Sequence, residues 1–372
     1  MKIAHVVDSM EVGGVETLVA QMCRLQREQG HDPSVYVVGK NGALGEKLIS
    51  DGFVVRVRMA RNLSDATRSF YRVFKELQPD VVHLHNPTPT AYAAFAARMA
   101  GVARVISTRH GLVSPPRRLA VELRYAVAAT CCDWVVGICD ATTNNLKRIH
   151  AIPSRKIVRV YNGTAQIPRV PKHQCPSTSG FTLVSVGRLA PVKNHALLLN
   201  AFRAACSAMP GLQLWMVGDG VERPRLEALA HSLGIATRVT FWGKQLDVAP
   251  FFSMADAFVM SSKSEGLPIS LLQAFSLGIP AIVTNVGGMA EVVCQANAGI
   301  TVSATDPSDM AAAILRLAAG EKEREQFSIN AEASFFAHFT LETMVDAYTS
   351  LYLNSPRNGS DRRKQKLDFL SI

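Results

Sequence analysis

From the first residues onward, short β-branched apolar runs alternate with longer stretches whose apolar positions recur at helical spacing. Strands are predicted at IAHVVD, PSVYVV, VVRV, DVVHLH and ARVIST, with a helix from Glu16 to Gln29 following the first of them. Alternation of this kind implies a parallel sheet carrying its crossover helices on both faces. The rhythm stops between residues 163 and 180, where Gly163, Pro168, Pro171, Pro176 and Gly180 gather among polar residues. It restarts with FTLVSV, LQLWMV, RVTFW, ADAFVM and PAIVTN, each leading through a turn into a helical stretch. The fold class expected is α/β, with two doubly wound, Rossmann-like parallel-sheet domains facing each other across a cleft.

The expected boundaries are an N-terminal domain over 1–165, a linker over 166–180 and a C-terminal domain over 181–338. A packing helix is expected over 339–354, because Leu341, Met344, Val345, Tyr348, Leu351 and Tyr352 fall at helical spacing. Residues 355–372 are polar and basic and are expected to be disordered. Their ending, with Leu367, Phe369, Leu370 and Ile372 after Arg362, Arg363, Lys364 and Lys366, offers a weak amphipathic contact for an anionic membrane.

Composition supports this division, since 372 residues at 48% hydrophobic exceed what one core usually holds. Seven cysteines, with Cys131 and Cys132 adjacent and no C-x-x-C spacing, lie scattered through apolar runs. That usage fits reduced, buried thiols and a cytoplasmic protein better than disulfides or zinc. The opening MKIAHVVD lacks the long apolar core of a secretory signal, and no apolar run reaches the length of a bilayer span.

The formal charge of +10 is uneven, because residues 1–168 hold 22 Lys+Arg against 13 Asp+Glu while the remainder holds 18 against 17. Two clusters stand out: Arg56, Arg58, Arg61, Arg68, Arg72 and Lys75, then Arg109, Arg117, Arg118 and Arg124. A bias confined to one domain favours an anionic partner such as phospholipid, lipid phosphate or acidic glycan. Arg117 and Arg118, projected by the turn at Pro115-Pro116, are the expected contact with an anionic membrane surface at the inner face of the cell membrane. No aromatic-interleaved basic stripe or zinc-finger spacing accompanies the charge, so nucleic acid is not an expected partner.

Four segments carry chemistry. Gly13 and Gly14 lie between the first strand and its helix, where backbone N–H groups can approach an anion and the helix start adds partial positive charge. The G-x-G-x-x-G pattern of a dinucleotide site is absent there, and Gly218-Asp219-Gly220 fails it because Arg223 replaces the third glycine. After ARVIST, Thr108-Arg109-His110-Gly111 places an imidazole at a strand end, where it could bond a sugar hydroxyl or a leaving phosphate or simply pack. His83 and His85 in VVHLHN are expected on opposite faces of their strand, His83 as a packed histidine and His85 left open.

The third segment, Val186 to His195, ends a strand in Gly187 and Arg188 and delivers Lys193 as a helix begins. Two cations there suit a diphosphate, with charge able to replace a divalent metal. The fourth, Ser264-Glu265-Gly266-Leu267-Pro268, puts a carboxylate before exposed backbone amides, with Pro268 at the first helical turn and Gln273 two turns on. An acidic helix cap is the plain alternative for Glu265.

Taken in order, GGVET, STRHG, VYNG, VGRLAPVKN, VGDG, SEGLPISLLQA and GIPAIVTNVGGMAEVV resemble the retaining glycosyltransferases of the GT-B fold, family-4 type, over roughly residues 1–353. The resemblance implies transfer from a nucleotide diphosphate-sugar to a glycan or lipid-linked acceptor, without a cofactor or metal, typically in bacterial exopolysaccharide, lipopolysaccharide or glycolipid synthesis. It implies that His110 contacts the donor sugar, that Arg188 and Lys193 hold the diphosphate, and that Glu265 with the following amides binds sugar and phosphate. His110, Glu265, Arg188 and Lys193 are the expected catalytic set, and Gly13, Gly14, Gly187, Gly218, Gly266, Leu267 and Gln273 complete the donor site. The family's second acidic residue, which usually binds the ribose hydroxyls, is here Gln273. A GT-B sugar-nucleotide epimerase and a non-catalytic nucleotide-sugar-binding subunit are the competing readings.

Overall fold

The computed structural model describes residues 1–112, 119–176 and 180–354. The expected membrane contacts at Arg117 and Arg118 and in the tail 355–372 lie outside the described residues. The first sheet contains β1 (Lys2–Val7), β2 (Asp32–Val37), β3 (Val54–Val57), β4 (Val81–His85), β5 (Arg104–Arg109), β6 (Trp134–Gly137) and β7 (Ile157–Arg159). Their spatial order is β3-β2-β1-β4-β5-β6-β7. The second sheet contains β8 (Thr182–Val186), β9 (Gln213–Val217), β10 (Val239–Gly243), β11 (Ala257–Met260), β12 (Ala281–Thr284) and β13 (Gly299–Val302), ordered β10-β9-β8-β11-β12-β13.

Neighbouring strands run parallel in both sheets. Strand order reverses between β1 and β4 and again between β8 and β11, and crevices open at the strands' C-terminal ends at such switch points. The ten strands expected from the apolar runs are present. β6, β7 and β13 were not expected, because three or four residues (WVVG, IVR, GITV) are too short to display a pattern.

Helices cover both faces. Gly14–Glu28 buries Leu18, Val19, Met22 and Cys23, and His195–Ala208 buries Leu198, Leu199 and Phe202. Each of these leucine, valine, methionine and phenylalanine side chains removed from water contributes about 1.5–3 kcal/mol. The seven cysteines are free, with Cys23, Cys132, Cys139 and Cys206 buried. Among the described residues no helix is long and apolar enough to cross a membrane.

The final described helix, Leu341–Leu353, follows the second sheet in sequence but packs on the first. Thr340 caps it by accepting from the Thr343 N–H at 3.1 Å. Its buried stripe of Leu341, Met344, Val345, Tyr348, Leu351 and Tyr352 shares one core with Ile3, Leu18, Met22, Val81 and Ile106. Where the chain recrosses, the Thr164 N–H donates to the Phe339 carbonyl and the Leu341 N–H to the Thr164 carbonyl, both at 3.0 Å. A Cβ on the adjoining Gly163 would strike the Thr340 carbonyl, so only glycine allows this approach.

Candidate active site

On the C-terminal side of the cleft, a single turn at Pro191–Lys193 leads into Asn194, whose left-handed φ of 53° redirects the chain into the helix His195–Ala208. The turn is pinned from the end of β11: Ser261 Oγ donates to the carbonyls of Lys193 and Asn194 at 3.0 and 3.1 Å, and the Lys263 N–H donates to the Val192 carbonyl at 2.8 Å. Lys193 Nζ meets Glu265 Oε1 at 2.6 Å, and Ser262 Oγ donates to the same oxygen at 3.0 Å. The sequence placed these two ions in separate roles and did not foresee that they pair. The acidic-cap reading of Glu265 is overturned: the helix Ile269–Ser276 begins after Pro268, which occupies the cap position one residue before the first turn, and no side chain caps it.

Glycines bring this loop across the cleft. A Cβ on Gly266 would collide with the His110 carbonyl, and one on Gly287, whose φ is 57°, would collide with the Glu265 carbonyl. The N–H groups of Gly266 and Leu267 donate to nothing among the described residues. The Leu267 side chain is buried, and its carbonyl accepts from Asn162 Nδ2 at 2.9 Å. Gly14 packs against the same helix start, since its Cβ would lie 3.7 Å from Ile269 Cγ1, and Gly13 precedes the helix without a capping side chain.

Arg188 is exposed, without an ion-pair partner among the described residues. A Cβ on Gly187 would lie 3.7 Å from Lys193 Nζ. Gly218, by contrast, lies against backbone, where a Cβ would strike the Gly187 carbonyl, so its observed contact is with the loop behind Lys193. Gln273 is half-buried on the helix Ile269–Ser276, its amide making no hydrogen bond among the described residues.

On the N-terminal side the expectation for the β4 histidines is overturned. Residues two apart in a strand share a face, so His83 and His85 stack with ring centroids 4.1 Å apart. His83 is buried as expected, Nδ1 lying 2.8 Å from the Tyr352 hydroxyl and Nε2 2.7 Å from Thr108 Oγ1. His85 Nε2 lies 3.1 Å from His5 Nδ1 on β1, and His85 Nδ1 lies 3.1 Å from His110 Nε2. His5 Nε2 reaches Gln26 Oε1 at 2.8 Å.

Burial holds these rings neutral by lowering the pKa of His5 and of His110 to about 4 and those of His83 and His85 well below the ordinary value. The ligand atoms of His5, His83 and His85 lie within 4.8 Å of one another, close enough for a metal ion, although each ring nitrogen already has a hydrogen-bonding neighbour.

Several residues at the cleft were not singled out. Asp8, at the end of β1, has its carboxyl pushed up to about 6, first by burial and also by the charge of Glu16. Asn86, with φ of 75°, accepts the His110 N–H on Oδ1 at 3.1 Å. Glu291 crosses between the sheets to accept the N–H groups of Asp140 and Ala141 at 3.0 and 3.3 Å and the Tyr161 hydroxyl at 2.7 Å. A polar residue ending an apolar strand, as in IAHVVD and HLHN, was the available signal for the first two. Arg109 leaves the basic surface cluster, because it is buried and paired with Glu122 at 2.7 Å.

Comparison with known proteins adds a second line of observation. Residues 12–165 match the family described as Glycosyltransferase Family 4, and residues 171–334 match Glycosyl transferases group 1. The lipopolysaccharide core biosynthesis glycosyltransferase LpsE of Rhizobium meliloti (strain 1021) is 30% identical over 54% of this chain, and the match spans only 58% of that protein. The UDP-Gal:alpha-D-GlcNAc-diphosphoundecaprenol alpha-1,3-galactosyltransferase of Escherichia coli is 26% identical, covering 95% of this chain and 97% of its own. Anabaena Alr3699/HepE, solved in complex with UDP-glucose, superposes with a TM-score of 0.81 at 18% identity, covering 94% of this chain and 98% of that one. That likeness supports the GT-B fold.

Proposed function

We propose, for a chain that belongs to the Glycosyl transferases group 1 and is a retaining Family 4 enzyme using a nucleotide-sugar donor, that the donor is a UDP-hexose and the acceptor a lipid-linked glycan. The observation that carries the donor half is the Lys193–Glu265 pair at 2.6 Å beside the uncommitted amides of Gly266 and Leu267. Arg188 and Lys193 hold the diphosphate and stabilise the charge of the leaving group, a role that oriented cations perform well in a partly water-excluded cleft. Diphosphate draws Lys193 away from Glu265, whose carboxylate then accepts hydroxyls of the transferred sugar. His110 meets that sugar from the opposite wall, and Gln273 bonds the ribose with a neutral amide. The acceptor attacks on the face from which the phosphate departs, and the phosphate takes its proton. The two cations supply the charge that a divalent metal would otherwise bring.

The Escherichia coli relative, named for UDP-Gal and a diphosphoundecaprenol acceptor, supports both halves of the reading, and LpsE supports a place in surface-glycan synthesis. A further observation favours a lipid-borne acceptor. The N-terminal domain has a groove of about 1040 Å³ lined by Arg61, Arg68, Arg124, Leu63, Phe95 and Met99, with Phe95 and Met99 more than half exposed. Cations around exposed apolar side chains suit an anionic lipid surface, at about 1 kcal/mol per basic residue.

Thermal shift against UDP-, GDP- and ADP-hexoses tests the donor, since a ligand that binds only the folded state raises its melting temperature. UDP-sugars should give the largest shift, and transfer should retain the anomeric configuration and survive chelator. A larger shift with GDP- or ADP-sugars rejects the UDP reading, and collapse with EDTA restored by magnesium or manganese rejects metal independence. Epimerised nucleotide sugar without transfer would favour the epimerase, and tight donor binding without turnover across acceptors the binding subunit. The lipid surface is tested by sedimentation with anionic and neutral vesicles: an Arg68→Glu/Arg124→Glu variant should lose salt-sensitive binding to the anionic ones, and equal binding to both kinds would remove the claim.

A further inference from the structure

We propose that Gln26, His5 and His85 are positioning residues: they form a one-way line of hydrogen bonds that leaves His110 Nδ1 an obligate acceptor, selecting a donor sugar that offers it a hydroxyl. The inference rests on the reading above only in placing the donor sugar at His110.

A neutral imidazole has one N–H and one lone pair, so a bond at one nitrogen dictates what the other can do. The line starts at Gln26, buried in the helix Gly14–Glu28, whose Nε2 is directed at the Tyr352 hydroxyl at 3.5 Å. That orientation turns Oε1 toward His5 Nε2 at 2.8 Å, and a carbonyl oxygen can only accept. His5 therefore carries its proton on Nε2 and presents a lone pair on Nδ1. His85 must donate to it from Nε2 across 3.1 Å, which leaves a lone pair on His85 Nδ1. His110 in turn donates from Nε2 across 3.1 Å. Its remaining nitrogen, Nδ1, is buried and has no partner among the described residues.

The rule holds because burial keeps each ring neutral through the neutral pH range. A branch runs from the same amide through the Tyr352 hydroxyl, which lies 2.8 Å from His83 Nδ1, while His83 Nε2 lies 2.7 Å from Thr108 Oγ1. One side-chain amide, on the first described helix and facing the last, thus joins two lines. A buried acceptor left unpaired is costly, so a sugar lacking the matching hydroxyl leaves Nδ1 unsatisfied and is rejected. The line moves no proton during the reaction, and with no N–H at the cleft His110 cannot serve as a general acid.

The test is a two-bond proton–nitrogen correlation spectrum of the full chain labelled with nitrogen-15 histidine, His110 being assigned by the signal lost in His110→Asn. His110 should be protonated on Nε2 and bare on Nδ1. Gln26→Met preserves the length of the side chain but removes the acceptor, so His110 should populate both tautomers and kcat/KM for the donor should fall about three- to tenfold. Native His110 protonated on Nδ1, or a Gln26→Met spectrum unchanged at His110, overturns the proposal. Nitrogen shifts that chelator reverses would make the cluster a metal site and overturn it as well. The native spectrum decides the polarity even where Gln26→Met fails to fold. It also separates this inference from the donor assignment, since a protein inactive with every sugar still reports its tautomers.

Discussion

On the C-terminal wall of the cleft Lys193 and Glu265 meet as ions, each partly open to water, whereas on the N-terminal wall the buried rings of His5 and His85 and the partly buried ring of His110 meet as neutral groups. A cation that must receive a diphosphate has to stay charged and reachable, and a partly exposed carboxylate can hold it in place at little cost. A group that must present a single lone pair needs the reverse: burial to keep it neutral, and a neighbour to fix which nitrogen holds the proton. The same cleft therefore uses charge on one side and hydrogen-bond direction on the other.

Acid should have the largest effect, and chiefly on the N-terminal wall. There the pKa values of His5, His83, His85 and His110 are all lowered, against that of His195 alone, lowered to about 4, beside Lys193 on the other. A histidine whose folded pKa is lowered contributes stability that is whole above the unfolded value of 6.5 and is lost as pH falls toward about 4. For one ring carried over that interval the loss approaches roughly 3 kcal/mol. Asp8, raised to about 6, has the opposite sign but is a single group against several histidines. Melting temperature should thus fall steeply on acidification from pH 6.5, and a flat profile would mean that the rings are not held neutral.

Next in size, Lys193→Ala should lower kcat/KM about ten- to a hundredfold, since a charge-assisted phosphate contact contributes on the order of 1.5–3 kcal/mol. Steady-state kinetics that scarcely change would detach the pair from donor binding. Glu265→Gln preserves size and removes charge, and turnover should fall about tenfold with the melting temperature maintained. Combined with Lys193→Ala it should cost less than the two separate losses together, because the residues are in contact. Strict additivity would contradict the observed pair. The smallest effect is expected from Gln273→Glu, which should tighten donor binding about two- to tenfold through a charge-assisted ribose contact, leaving kcat alone. A large loss of turnover would show that the ribose is held elsewhere.

How far each wall could be read beforehand follows from the same contrast. Arg188, Lys193 and Glu265 stand in the loops that follow strands, near glycine and proline, where a charged residue signals chemistry, and the two sheets follow from β-branched runs long enough to show a period. The contact between Lys193 and Glu265 was illegible because the residues are distant in sequence and meet only once β8 and β11 lie side by side. His5 and Gln26 left no trace, since one polar residue inside an apolar strand or helix reads as noise until its partner is known. His85 was assigned the wrong face, although the period of a strand places it with His83. Leu341 to Tyr352 announced an amphipathic helix, but a stripe of apolar side chains does not say which core will receive it.

The destination of that helix has a consequence for synthesis on the ribosome. Chains emerge from the N-terminus and their domains generally fold as units in that order. Here Ile3, Met22 and Ile106 wait for Tyr348 and Tyr352, which leave the ribosome after the entire second sheet. The half made first is completed last, so its nascent form shows an uncovered apolar stripe for most of translation. A chimera that joins this N-terminal half to another C-terminal half must therefore carry residues 341–353 with it, grafted at the far end of the chain.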